Sequence, residues 1–187
     1  ETLKHRIRFS MSAEGADASR KSWYFSNAFY SVEYFKTFAI FEQLTSCTRR
    51  LLAGKMSIVC ANLSNAYFSI ANGANHIVYP DGTAPFEGMQ HSFPLEYQAV
   101  SSFIDSVRKL HLDEREYVLL KALLMLSPSL DDASTSERAL LTTQSECYAK
   151  ALLSYVLARR GTQHGPRAYQ EMLSTIDMLS HRVKIEK

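Results

Sequence analysis

The residues able to do chemistry are few and scattered. Cys47, Cys60 and Cys147 stand far apart, with no Cys-x-x-Cys pair to found a zinc finger or a redox centre. Their odd number argues against a disulfide framework and for a reducing compartment. Cys60 and Cys147 lie in apolar helical surroundings, which predicts buried, inert thiols. The histidines are His5, His76, His91, His111, His164 and His181; none falls four from another, and no His-Glu-x-x-His occurs, so no metal site is expected. Neither a GxGxxG nor a GxxxxGK phosphate loop is present, nor a GxSxG elbow. Glu114 and Glu116 lie two apart at a helix start and point in different directions, so they serve there as favourable charge near an N-terminus. Arg49-Arg50, Arg159-Arg160 and Arg182 with Lys184 read as solvated helix ends. With no catalytic constellation and no cofactor motif, an enzyme is not expected. What remains are Asn62, Ser64, Asn65 and Ser69, polar groups among apolar neighbours. Such groups must find partners in the protein or face a ligand cavity.

The elements that would position them are mostly helical. Residues 1–20 are expected to be polar and irregular. From Trp23 to about Phe38 apolar residues recur at i, i+3, i+4 and i+7, which predicts a helix with much of its girth buried. A second helix is expected from about Cys47 to Ala71. His76–Pro85 holds Asp81-Gly82 between short β-favouring runs, which predicts a short hairpin, with Pro80 and Pro85 keeping it at an edge. Residues 95–109 form an amphipathic helix. Asp113 with Glu116 is a capping box for a core helix over 117–126, ended by Ser127-Pro128. Ser134 with Glu137 is a second box, opening a helix to about Arg159. Gly161 and Gly165 break that helix, and Pro166 suits the first turn of the next.

The chain has 187 residues, 46% apolar and 21% charged, with a net charge of +2. This is the composition of one globular domain with a sizeable core. The charge is too balanced for nucleic-acid binding by bulk electrostatics. No run of about 18 apolar residues predicts a membrane span, and the opening ETLKHRIRFS has no apolar stretch for a signal peptide.

The order of these pieces resembles the ligand-binding domain of nuclear hormone receptors, in the divergent style of the expanded nematode set. Four segments carry the resemblance. EYFKTFAIFEQL (33–44) is similar to the end of the family's third helix, with Lys36, Phe41 and Leu44 in register. His76–Pro85 stands in place of the family's β-turn. EREYVLLKALLMLSP (114–128) is close to the eighth helix, and GPRAYQEML (165–173) is like the entry to the tenth. Thr48-Arg49 replaces the family's Asp-Gln, so the contacts of the fourth helix are expected to be rebuilt.

The resemblance implies an all-α fold, a three-layer antiparallel helical sandwich with one short β-hairpin, as a single domain over 1–187. It also implies that the chain lacks both the zinc-bearing DNA-binding domain and the C-terminal activation helix. A small lipophilic ligand, such as a fatty acid, would contact Trp23, Tyr24, Asn27, Asn62, Asn65, Phe68 and Val78. An LxxLL-type coregulator helix would lie in a groove lined by Val32, Lys36, Phe41 and Arg50. Glu116 and Arg167 would form a structural ion pair. Met172, Ile176, Leu179 and Val183 would form the face of a homo- or heterodimer. The location would be the nucleus, with no direct nucleic-acid or membrane contact by this domain. The competing expectation is a ligand-independent helical interaction domain whose pocket is filled by its own aromatics.

Overall fold

The computed structural model describes residues 13–86, 94–126 and 133–185. Among the described residues five helices and one 3-10 turn form the frame: α1 (Ala13–Lys36), the turn Phe41–Gln43, α2 (Ser46–Ala71), α3 (Pro94–Lys109), α4 (Glu114–Leu126) and α5 (Thr135–Ile185). The fold is all-α, as the resemblance implies. α2 packs on every other helix and therefore runs through the middle; α4 and α5 share the most extensive contact. Leu52, Met56, Cys60, Leu63 and Ala66 of α2 are buried at the centre, with Phe35 of α1, Leu120 and Leu124 of α4, and Leu152 and Val156 of α5 around them. Among the described residues no helix is long and apolar enough to cross a membrane.

Both capping boxes form. Glu116 N–H donates to Asp113 Oδ1 at 2.8 Å while Asp113 N–H donates to Glu116 Oε2 at 3.1 Å. Ser134 N–H and Oγ–H donate to Glu137 Oε2 at 3.2 and 2.7 Å, and Glu137 N–H returns to Ser134 Oγ at 3.2 Å. The break predicted at Gly161 is a bend inside α5, with φ 74° and ψ 168° there. Only glycine takes that backbone without steric cost.

Four expectations are corrected. Helix α1 begins at Ala13, ten residues before the aromatic run. Ala13, Ala16 and Ala18 supply the propensity that an apolar-pattern reading overlooks. The aromatic part of α1 is not buried most of the way round: Phe25, Phe29 and Tyr30 are exposed. The hairpin is reduced to its turn. Gly82 N–H donates to Tyr79 O at 2.8 Å and Tyr79 N–H to Thr83 O at 2.9 Å, with Gly82 at φ 88°, but no strand flanks them among the described residues. Cys147 is exposed, as is Cys47, and only Cys60 is a buried thiol. Ser127-Pro128 lies outside the described residues.

Candidate functional site

The residues expected to bind a ligand come from α1, α2 and the turn that follows α2. Asn27 Nδ2–H donates to Asn65 Oδ1 at 2.9 Å, so the two amides bridge α1 and α2 directly. The turn is fastened to both helices. Trp23 donates its indole N–H to Asp81 Oδ2 at 2.7 Å and stacks on Tyr79 with centroids 5.9 Å apart. Val78 N–H donates to Ser69 Oγ at 2.9 Å, and Ser69 Oγ–H donates to Asn65 O at 2.7 Å. Burial opposes ionisation of Asp81, but hydrogen bonds from the Thr83 N–H and the Trp23 indole outweigh it and hold its pKa below the ordinary value. Trp23, Asn27, Asn65 and Val78 are thereby brought together. Asn62 and Phe68 lie on exposed parts of α2. Tyr24 is on α1, and its side chain is outside the described set. Ser69, Tyr79 and Asp81 were not expected here. Their signal was Ser69 as a polar group in an apolar helix and Asp81 in the turn.

Behind this bridge the core carries a polar seam. Tyr117 donates to Ser64 Oγ at 2.9 Å and stacks on Tyr67 at 4.1 Å. Lys121 lies over the Tyr34 ring at 4.7 Å, its pKa lowered by burial. Burial also pushes the Cys60 thiol up to about 12. A thiol so raised stays protonated and is a poor nucleophile.

The residues expected to line a coregulator groove stand in the last turns of α1, in the 3-10 turn and in the first turns of α2. Lys36 Nζ is 3.0 Å from Glu33 in an exposed pair on its own helix. Phe41 packs edge-on against Phe35 at 5.1 Å, while the Arg49 guanidinium covers its ring at 4.7 Å. Arg49 also donates to Leu44 O at 2.9 Å and Glu42 O at 3.2 Å. Thr48 is buried beside the Thr45 cap. Thr48 and Arg49 thus both take part in the junction between the 3-10 turn and α2. Val32 is half-buried and Arg50 exposed.

The ion pair expected between Glu116 and Arg167 is not formed. Glu116, wholly buried, accepts from Arg160 Nε at 2.8 Å, Arg160 Nη2 at 2.6 Å and Arg159 Nη1 at 2.6 Å. Arg167, 86% exposed, pairs with Glu171 on its own helix at 2.9 Å. Arg159 and Arg160, which the sequence reading places at a solvated helix end, stand immediately before the bend at Gly161 and reach the start of α4. Arg159 Nε also meets Asp113 at 3.0 Å, and Tyr155 donates to Asp113 Oδ2 at 2.8 Å. Burial works against the Asp113 carboxylate, but the Glu116 N–H, the Tyr155 hydroxyl and Arg159 together lower its pKa.

The expected dimer face is also corrected. Met172, Ile176 and Leu179 are buried within their own chain, where they join the central core. Val183 is on α5 with its side chain outside the described set. An apolar helical stripe covers whatever apolar surface is nearest, and here that surface is internal. A cleft of about 280 Å³ between α2 and α3, floored by Ile70, Val107 and Leu112, and one of about 510 Å³ between α3 and α5, lined by Lys109, Leu110 and Gln170, contain none of the expected ligand residues.

Comparison with known proteins accords with this architecture. Residues 21–185 match the family model of the ligand-binding domain of nuclear hormone receptor. Nuclear hormone receptor family member nhr-60 of Caenorhabditis elegans is 29% identical over 167 residues, covering 89% of this chain and 36% of that protein. Family member nhr-153 of the same organism is 30% identical over 172 residues, covering 87% of this chain and 40% of that protein. Family member nhr-167 is 25% identical over 180 residues, covering 94% and 52%. The chain thus spans about two fifths of the first two relatives.

Proposed function

Because this chain belongs to the nuclear hormone receptor family, matching its ligand-binding domain, we propose that it senses a small lipophilic ligand and passes that state to a coregulator surface. The observation carrying this reading is the Asn27–Asn65 bridge beside the turn fastened by Trp23 and Ser69. An amide has one acceptor oxygen and two N–H donors. The bridge engages one donor of Asn27 and the oxygen of Asn65, which leaves the Asn27 oxygen and the Asn65 N–H groups to meet a ligand hydroxyl or carboxyl. The ligand would touch Trp23, Tyr24, Asn27, Asn62, Asn65, Phe68 and Val78.

The mechanism is a population shift. A ligand that fits one packing of α1, α2 and the turn stabilises that packing over its alternatives. The far end of α1 carries Val32 and Lys36 toward Phe41 and Arg50, the proposed groove for an LxxLL-type helix. Lys36 would leave Glu33 to meet the carbonyl end of that helix. Giving up an exposed i, i+3 pair costs only about 0.5 kcal/mol. In the whole protein this domain would regulate transcription in the nucleus, with another receptor subunit as a further partner and no catalysis of its own.

Native mass spectrometry of the purified chain, before and after organic extraction, tests the reading. The expected result is a stoichiometric lipophilic adduct that Asn27→Leu loses without loss of helicity. A bare mass in the wild type overturns ligand sensing. That outcome favours the second reading, a ligand-independent interaction domain, which the Asn27–Asn65 bond also supports because each amide already has a partner.

A further inference from the structure

Tyr67 near the end of α2 and Tyr117 near the start of α4 stack face to face, with centroids 4.1 Å apart and planes 4° from parallel. Tyr117 thus covers one face of the Tyr67 ring. Tyr67 also lines the cleft of about 280 Å³ beside α3, whose wall does not include Tyr117. The stack therefore ends at an open cavity, floored by Ile70, Leu112 and the buried Val107. Burial, with the Glu114 and Asp113 carboxylates, raises the Tyr67 pKa, so its phenol stays protonated and the ring neutral.

The rim of the cleft is held in place. His111 stands at φ 47°, a left-handed backbone that residues with a side chain seldom take. Its N–H donates to Arg108 O at 3.1 Å, and its carbonyl accepts from Arg160 Nη2 at 3.1 Å. Arg108 is occupied by Asp105 at 2.5 Å and by Ala74 O at 3.2 Å, which fixes its guanidinium as a wall. The His111 imidazole is different: it is exposed at the rim and has no hydrogen-bond partner among the described residues. A neutral imidazole offers one N–H donor and one acceptor nitrogen. The cleft thus joins an aromatic wall, an apolar floor and one uncommitted polar group, the make-up of a small-molecule site.

We propose that this cleft binds a flat, neutral aromatic molecule, which stacks on the face of Tyr67 that Tyr117 leaves uncovered and sets a polar edge against His111. Three features select that occupant. The parallel tyrosines favour a flat ring as a third layer. The volume falls just below the ~300 Å³ where drug-sized sites begin, so the molecule is one or two rings in size. The Glu114 and Asp113 charges that reach Tyr67 act against an anion. The site is separate from the Asn27–Asn65 bridge and stands whether or not a lipophilic ligand binds there.

Titration of the isotope-labelled whole chain with naphthamide, naphthoate and cyclohexanecarboxamide, followed by amide chemical shifts, tests it. Naphthamide should bind with a Kd on the order of 1 mM. Its shifts should centre on Tyr67, Ile70, His111 and Leu112. Naphthoate, an anion, and cyclohexanecarboxamide, which is not flat, should bind several-fold more weakly. Ala71→Phe places a ring in the cleft from an exposed position and should abolish binding. His111→Gly suits the left-handed backbone while removing the imidazole, and should weaken binding roughly fivefold. Circular dichroism checks that both variants fold. Shifts that centre instead on Asn27 and Asn65, or no shifts at all, overturn the proposal. So do equal affinities for the three probes, tighter binding of naphthoate, or binding that Ala71→Phe leaves intact.

Discussion

Replacing Arg167 and Arg160 by alanine separates the ion pair that the family register implies from the one that the packing builds. Arg160 grips the buried Glu116 with two nitrogens at 2.8 and 2.6 Å and donates to Leu110 O at 2.8 Å. Removing one partner of a buried pair costs about 3–5 kcal/mol when nothing else compensates. Here Arg159 Nη1 and the Asp113 N–H still reach Glu116, and Arg159 is partly open to water, so Arg160→Ala should cost about 2–3 kcal/mol. Arg167 pairs with Glu171 at the surface, so Arg167→Ala should cost less than about 0.5 kcal/mol. In a domain of this size each kcal/mol moves the melting temperature by about 2–4 °C. The two variants should thus differ by several degrees. Urea unfolding of both single variants, Glu116→Ala and the two doubles gives the coupling energies. Glu116 should couple to Arg160 by more than about 1 kcal/mol and to Arg167 by nearly nothing. An Arg167→Ala variant as unstable as Arg160→Ala, and coupled to Glu116, would refute the assignment.

Glu137 predicts an acid-side loss of stability. Hydrogen bonds from the Thr45 N–H and the Ser134 side chain lower its pKa to about 2. A carboxylate depressed in the fold adds stability above its unfolded pKa, and that stability is lost as pH falls toward 2. Glu137→Gln should flatten the stability profile across that window, as read by urea titrations at successive pH values. At mildly alkaline pH a thiol reagent should label Cys47 and Cys147 at once and Cys60 only on unfolding, since Cys60 alone is buried. Trp23 is the chain's one tryptophan, so its fluorescence reports the clip to Asp81. Its acid transition should fall below the ordinary carboxylate pKa of about 3.9, and Asp81→Asn should abolish it.

Local chemistry was legible in the sequence. The pairs Asp113–Glu116 and Ser134–Glu137 act within one helical turn, so three-residue spacing suffices to read them. Gly161 announces the bend because few other residues take its backbone. The choice among Arg159, Arg160 and Arg167 was not legible, since it depends on which arginine the packing of α5 on α4 sets beside Glu116. The stripe Met172, Ile176 and Leu179 fits its own core and a partner equally well on paper. The α1 aromatics hid their sidedness because Trp23, Phe25, Phe29, Tyr30, Tyr34 and Phe35 leave little polar contrast between faces. The ligand set was legible only through family register. Of it, the geometry brings Trp23, Asn27, Asn65 and Val78 together and leaves Asn62 and Phe68 exposed.

The Glu137 carboxylate serves two helix starts at once. One oxygen accepts from Ser134 at the head of α5, the other from the N–H of Thr45, the N-cap of α2, at 2.8 Å. Fraying of either end therefore releases the same anion, and the two ends open as one unit. Amide hydrogens at Thr45 and Ser134, 89 positions apart in the chain, should exchange with deuterium at matched rates. Distance along the sequence then says nothing about which parts of this domain breathe together.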